Sequence, residues 1–215
     1  MIIGVTTIKP MKTYKEQFIA TQFIILGIPL IPLQSYFFLD DVSGRGIKIG
    51  WYGPQILKTY CVFVGLIGLL IFGLDIWHPS MFRSISTTSA WMGFLAFGAM
   101  IGYFGFFFNK MDDQEKELRE LYGHVVGINA LPEYLSDEVA NDMLKDFKRN
   151  FKKDFEATWD EVLKEKEVEP AQVPQLFAVL GYSKRLGNNQ ALVNQYYDSI
   201  HKMYKTMLIT AAMHE

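Results

Sequence analysis

The sequence holds a single cysteine, Cys61, in 215 residues. One thiol cannot close an intrachain disulfide or supply a Cys-rich zinc site, and Cys61 lies inside an apolar run, where a small buried hydrophobe is the expected role. Charge is sparse and nearly balanced, with 21 basic and 23 acidic residues and a formal net charge of −2. That balance gives no basis for a nucleic-acid or polyanion partner. Catalytic patterns are missing as well: no phosphate-cradling glycine loop, HExxH pair, nucleophile elbow or kinase signature occurs. The four histidines, His78, His124, His201 and His214, have no ligand-like spacing. The expectation is therefore no catalytic residue, no metal and no cofactor.

Apolar sequence is what the chain has in quantity. Half of its residues are hydrophobic, which excludes a disordered tail protein, and they are gathered in blocks. Up to Met111 there are 8 basic and 4 acidic residues, and beyond it 13 basic and 19 acidic. The two parts are built for different solvents.

Two runs are long enough to cross a bilayer. Ile56 to Ile76 carries no charge between Lys58 and Asp75, and Ala90 to Asn109 carries none at all. Both are apolar all round, which suits lipid better than a protein interior. Trp51, Tyr52, Tyr60, Trp77 and Trp91 fall where interfacial rings belong. The short polar linker HPSMFRSISTTS makes an antiparallel helical hairpin the economical arrangement. Gly65, Gly68 and Gly73 in the first span, and Gly98, Gly102 and Gly105 in the second, are the candidate helix-packing positions. Gly98 and Gly102 have the small-xxx-small spacing that lets backbones approach. Asp75 and His78, at the outer end beside Trp77 and Pro79, read as an interfacial pair.

Arg45, Lys48 and Lys58 precede the first span, and Lys110, Lys116 and Arg119 follow the second, with Arg83 alone between them. This asymmetry places both termini in the cytoplasm. Lys9, Lys12 and Lys15 are followed by an apolar run without a small-residue cleavage pattern, so no signal peptide is expected and the first span serves as the insertion signal.

The stretch from Phe18 to Leu39 is apolar enough to score as a third span. Pro29 and Pro32 argue against it, since each interior proline costs a helix about 3 kcal/mol. The surrounding β-branched and aromatic residues suit strands or a re-entrant turn. The preferred reading is an apolar β-hairpin lying against the membrane, with Ile2 to Ile8 and Ile47 to Ile49 as partner strands.

The string Gly27-Ile28-Pro29-Leu30-Ile31-Pro32-Leu33-Gln34-Ser35-Tyr36 resembles the IPLIPL…SY stretch of a set of uncharacterised bacterial membrane proteins, some of which carry it beside a small zinc-ribbon-like fold. The resemblance covers ten to twenty residues. It implies a bacterial inner-membrane location but no metal ligand, because the paired Cys-x-x-Cys motifs of a zinc ribbon are absent here.

Beyond the second span, Lys110 to Tyr122 has helix-forming composition with alternating charge, so the membrane helix is expected to continue as a stalk to Gly123. Gly123, Gly127, Asn129 and Pro132 mark a loop. A helix is then expected from Ser136 to Lys166, with Val139, Met143, Phe147, Phe151, Phe155, Trp159 and Leu163 at four-residue steps. Lys145, Lys148, Arg149, Lys152 and Lys153 flank that stripe. Two readings stand: an interfacial helix with Phe147 and Phe151 toward lipid and the basic residues on anionic headgroups, or a helical domain whose core the aromatics form. The second is favoured, because Leu176, Phe177, Val179 and Leu180 supply an apolar partner before a Gly187 stop. In the last helix Val193, Tyr196, Ile200, Met203 and Met207 alternate steps of three and four, a face suited to the domain's own core or to another copy.

The fold class expected is thus a mainly α membrane protein, with a small N-terminal β element (1–53), a two-helix transmembrane hairpin (54–110) and a helical cytoplasmic domain (111–215). The function expected is a membrane-anchored accessory or scaffold subunit that meets the bilayer and a protein partner or another copy of itself. A small oligomeric channel or transporter subunit, or a membrane-tethered enzyme, stands as the alternative.

Overall fold

The computed structural model describes residues 4–7, 11–25, 29–39, 45–78, 86–165 and 168–213. Expectations resting on Ile2, Ile3, Ile8, Gly27, Ile28, Arg83, Lys166 and His214 lie outside these residues. The chain is mainly helical with a small antiparallel sheet, and it divides into two units: 1–44 with 51–111, and 45–50 with 112–215. Sheet and hairpin fall in the same unit.

In the first unit the strands are β1 (Gly4–Thr7), β2 (Met11–Tyr14), β3 (Gln17–Ile25) and β4 (Pro29–Phe38). β3 is central, with β4 along one side and β1 and β2 sharing the other, all antiparallel. The proline-broken stretch is thus a pair of strands and not a third span. Its prolines sit where the ladder slips: Gln22 faces Gln34 but Phe23 faces Pro32, and Ile24 faces Ile31 but Ile25 faces Pro29. Leu33 and Leu30 are the extra residues. A β-bulge beside each proline absorbs the missing N–H donor, which a regular central ladder would not tolerate. The freed carbonyl of Leu33 accepts the Trp51 indole N–H at 3.2 Å.

Helix α1 (Gly53–Trp77) starts with Pro54 in its first turn, and α2 (Thr87–Gly102) starts under a Ser86 cap whose side chain accepts the Ser89 N–H. α2 ends in a π-helical turn, Tyr103–Phe107, closed by Phe108 N–H donating to the Tyr103 carbonyl at 2.8 Å. The chain then turns at Asn109, whose φ is 53°. The expected continuous stalk is not formed, since α3 (Asp113–Val126) begins anew under an Asp112 cap. The sequence expectation failed because a left-handed asparagine ends the helix while the composition around it stays helix-forming.

The second unit holds a short strand, β5 (Gly46–Ile49), where Ile47 to Ile49 were expected, and five helices: α3, α4 (Asp137–Phe155), α5 (Trp159–Glu165), α6 (Val173–Leu186) and α7 (Gln190–Ala212). The single helix expected from Ser136 to Lys166 is two. Glu156, at φ 54°, closes α4, and Thr158 N–H restarts the chain by donating to Glu161. α6 is the hub, with Val173 and all of Leu176 to Ser183 buried. It ends at Gly187 in the left-handed conformation, φ 71°.

Candidate functional site

The contact between α1 and α2 is made of glycines that each receive a large side chain from the opposite helix. A β-carbon at Gly65 would stand 2.6 Å from Ile101, and one at Gly93 would stand 2.7 Å from the Phe72 ring. One at Gly68 would fall inside the Phe97 ring's contact distance. Phe72 and Phe97 then stack on each other with centroids 5.7 Å apart. Gly98 is in ordinary contact with Leu69 at 3.9 Å, whereas Gly102 and Gly105 have no atom within 4 Å of that position. The helices pack knob into glycine notch. Gly93 carried no sequence signal of its own, because a notch is defined by the partner's ring.

Apart from these notches the helices turn apolar side chains outward. Leu66, Leu70, Trp91, Met92, Leu95 and Phe106 are all exposed. Only 17% and 6% of the apolar windows of the two helices are buried, where a water-soluble core helix is mostly buried. Asp75 departs from the expected interfacial pairing: it is 3% exposed while His78 is exposed, and its Oδ1 has no hydrogen-bond partner among the described residues.

The sheet is fastened to the first turns of α1 by a buried polar cluster. Thr21 Oγ1 donates to Gln55 Oε1 at 2.9 Å and lies 2.7 Å from Ser35 Oγ, which accepts the Tyr52 N–H at 3.1 Å. Thr21, Ser35 and Gln55 are each at most 1% exposed. Buried hydroxyls and amides without partners would be costly, so the cluster fixes one seating of the sheet on the helix. Phe23 meets Tyr60 edge to face beside it. No periodicity announces such a cluster, since its members come from β3, β4 and α1.

In the second unit the aromatic stripe is divided. Phe151 is fully buried against Phe155, and Phe147 meets Tyr182 with centroids 5.3 Å apart. Both rings meet other aromatic side chains of the same unit. Lys148 lies over the Trp159 ring at 5.1 Å, and burial lowers its pKa from the ordinary lysine value. Lys145, Arg149, Lys152 and Lys153 remain exposed, with Lys145 and Arg149 bridged to Asp142 and Asp146.

α7 packs on α6 through Val193, Tyr197, Ile200, His201 and Tyr204, with Tyr197, His201 and Tyr204 ranged around the Phe177 ring. Val193 and Ile200 are at most 2% exposed, so the five-residue face is not one outward surface. Tyr196 and Met207 are half-buried and Met203 is exposed. The inward residues Val193, Tyr197, Ile200 and Tyr204 also alternate steps of four and three, in a register that leaves out Tyr196, Met203 and Met207.

Tyr122 of α3 crosses α6 over Gly181, where any β-carbon would collide with its hydroxyl. Burial pushes the Tyr122 phenol well above its ordinary value. Arg119, expected only as a topology-setting charge, is fully buried; its Nε donates to the Asn129 carbonyl at 2.6 Å and its guanidinium lies over the Tyr134 ring. Tyr134 in turn donates to Glu115. Between α3 and α7 lies a groove of about 630 Å³, floored by Leu121, Leu208 and Ile209 and rimmed by Glu117, Glu120, His124 and Lys205. Lys205 and Glu117 form an ion pair at 2.7 Å.

Among the described residues no three His, Cys, Asp or Glu side chains stand together as a metal cluster. No family model, curated protein or solved structure matches the chain.

Proposed function

We propose that this chain is a membrane-anchored scaffold, in which the α1–α2 hairpin crosses a bacterial inner membrane and the helical unit meets a protein partner or a second copy in the cytoplasm. The observation that carries the reading is the contrast in how apolar residues are used. In the hairpin Leu66, Leu70, Leu95 and Phe106 face outward all round, whereas in the helical unit Phe151, Phe177 and Leu180 are fully buried around α6. The first pattern is stable in hydrocarbon and the second in water.

The α3–α7 groove is the surface offered to the partner, with Ile209 of its lining 49% exposed. An apolar floor with a charged rim accommodates a partner's apolar side chains. The test is photo-crosslinking from Leu208 and Ile209 in intact membranes, with native mass measurement of the protein in mild detergent. A discrete adduct and a defined complex are expected. An isolated monomer with no adduct would overturn the scaffold reading.

A further inference from the structure

Strand β3 climbs along α1 toward the apolar run. Thr21 bonds Gln55 in the first turn of that helix, and two residues on, Phe23 meets the Tyr60 ring, five helix residues further along. Both steps cover about 7 Å, so the strand keeps pace with the helix axis. Lys58 is the last charge of α1 before Asp75. Phe23 therefore already stands past it, and Ile24 comes next.

The end of the sheet reached in this way is apolar on the face turned from α1. Thr21 and Phe23 are fully buried on the face toward the helix, so the alternation of a strand sends Ile24 to the other face. Val5 of β1 and Ile31 of β4 are its directly opposed neighbours, and opposed residues of a ladder share a face. Val5 is 61% exposed, Ile31 54% and Leu33, the extra residue of the bulge, 38%. Trp51 closes the row: the Leu33 carbonyl accepts its indole N–H, while its ring is 70% exposed. Single exposed hydrophobes are ordinary on a protein surface, whereas a contiguous row marks contact with something apolar. The sequence from Phe18 to Leu39 carries no charge.

We propose that this end of the sheet dips end-on into the cytoplasmic leaflet beside α1, with Val5, Ile24, Ile31 and Leu33 at the boundary of headgroups and acyl chains and the Trp51 ring among the headgroups. The row stands at the height where α1 leaves water, so the lipid that meets the exposed Leu57 and Leu66 of α1 runs on to it. An indole with a bonded N–H and an open ring is the side chain that this interface favours. The backbone sets the depth. β1 is an edge strand, and the polar groups of a sheet edge need water or a partner, which holds the sheet at the boundary and out of the hydrocarbon core. The proposal rests on the membrane reading of the hairpin.

Single cysteines are placed at Val5, Ile31, Thr13 and Leu95 of the full chain in a Cys61→Ala background, spin-labelled, and reconstituted into liposomes of phosphatidylglycerol and phosphatidylcholine. All four sites are exposed, so the label displaces no packing. Collisions with oxygen, which concentrates in lipid, are compared with those of a water-soluble nickel chelate. Val5→Cys and Ile31→Cys should exclude the chelate several-fold better than Thr13→Cys, at the other end of the sheet, and should admit oxygen, at a depth shallower than Leu95→Cys in the middle of α2. Chelate access at Val5→Cys and Ile31→Cys equal to that at Thr13→Cys, with Leu95→Cys protected, would overturn the insertion while upholding the membrane reading. Protection of the two sites from both reagents would mark a protein covering the row, and would also overturn it. Chelate access at Leu95→Cys would overturn the membrane reading, and the insertion with it.

Discussion

Phe97 lays its ring over Gly68 so closely that residue 68 has no room for a β-carbon, and this notch sits midway along the α1–α2 contact. The fit is steric. Gly68→Leu should force the helices apart and cost about 1–3 kcal/mol, the range for overpacking a filled interface. Gly102→Ala, where no atom lies within 4 Å, should be neutral or slightly stabilising through helix propensity. Thermal unfolding of the two variants in one detergent separates them; equal loss from both would mean that the glycines act through backbone flexibility instead.

The Thr21–Gln55–Ser35 cluster makes a sharper prediction about order than about size. Gln55→Leu leaves the buried Thr21 hydroxyl short of a partner, at a cost of about 1–3 kcal/mol. Adding Thr21→Val removes the hydroxyl that has lost its partner while Ser35 still accepts the Tyr52 N–H, so the double variant should be more stable than the single one. Chemical unfolding of the wild type, the single and the double variant checks it.

At the centre of the helical unit, Gly181→Ala should destabilise strongly because its methyl collides with the Tyr122 hydroxyl. Tyr122→Phe removes that oxygen. The double variant should therefore recover part of the loss, and the cycle should show a coupling of about 0.5–3 kcal/mol. Additivity would mean that the two residues do not press on each other.

His201 supplies a pH dependence. Burial among Phe177 and Tyr197 holds its imidazole below the ordinary value of 6.5, with Glu117 opposing the shift. Its folded pKa is depressed, so below 6.5 the unfolded chain takes up the proton first. Stability is complete above that value, falls as pH drops through it toward the folded pKa, and levels off beneath. Trp159 is the helical unit's own tryptophan, so its fluorescence in a chain with Trp51, Trp77 and Trp91 replaced by Phe follows this unit alone. His201→Asn should flatten the profile between pH 7 and the folded pKa.

What the residues disclose in advance follows from how local each cause is. Pro29 and Pro32 rule out a helix by their own geometry, and the strands β3 and β4 stand where they forbid one. The apolar runs of α1 and α2 are equally local, differing from expectation only at their ends. The breaks at Asn109 and Glu156 were illegible because each is one residue in a left-handed conformation inside helix-forming sequence. In the sequence Arg119 counts only among the basic residues that set topology, since only the fold brings the Asn129 carbonyl and the Tyr134 ring to it. The inward side of α7 is likewise chosen from outside the helix, by Phe177 of α6.

Sidedness is decided by single cysteines in a Cys61→Ala background, placed at Thr13, Ser86 and Ser136 and labelled from either side of sealed membranes with an impermeant maleimide. If the hairpin alone crosses the bilayer, Thr13→Cys and Ser136→Cys react only from the cytoplasmic side and Ser86→Cys only from the other. Labelling of all three from one side, or of Thr13→Cys and Ser136→Cys from opposite sides, would contradict a two-span anchor.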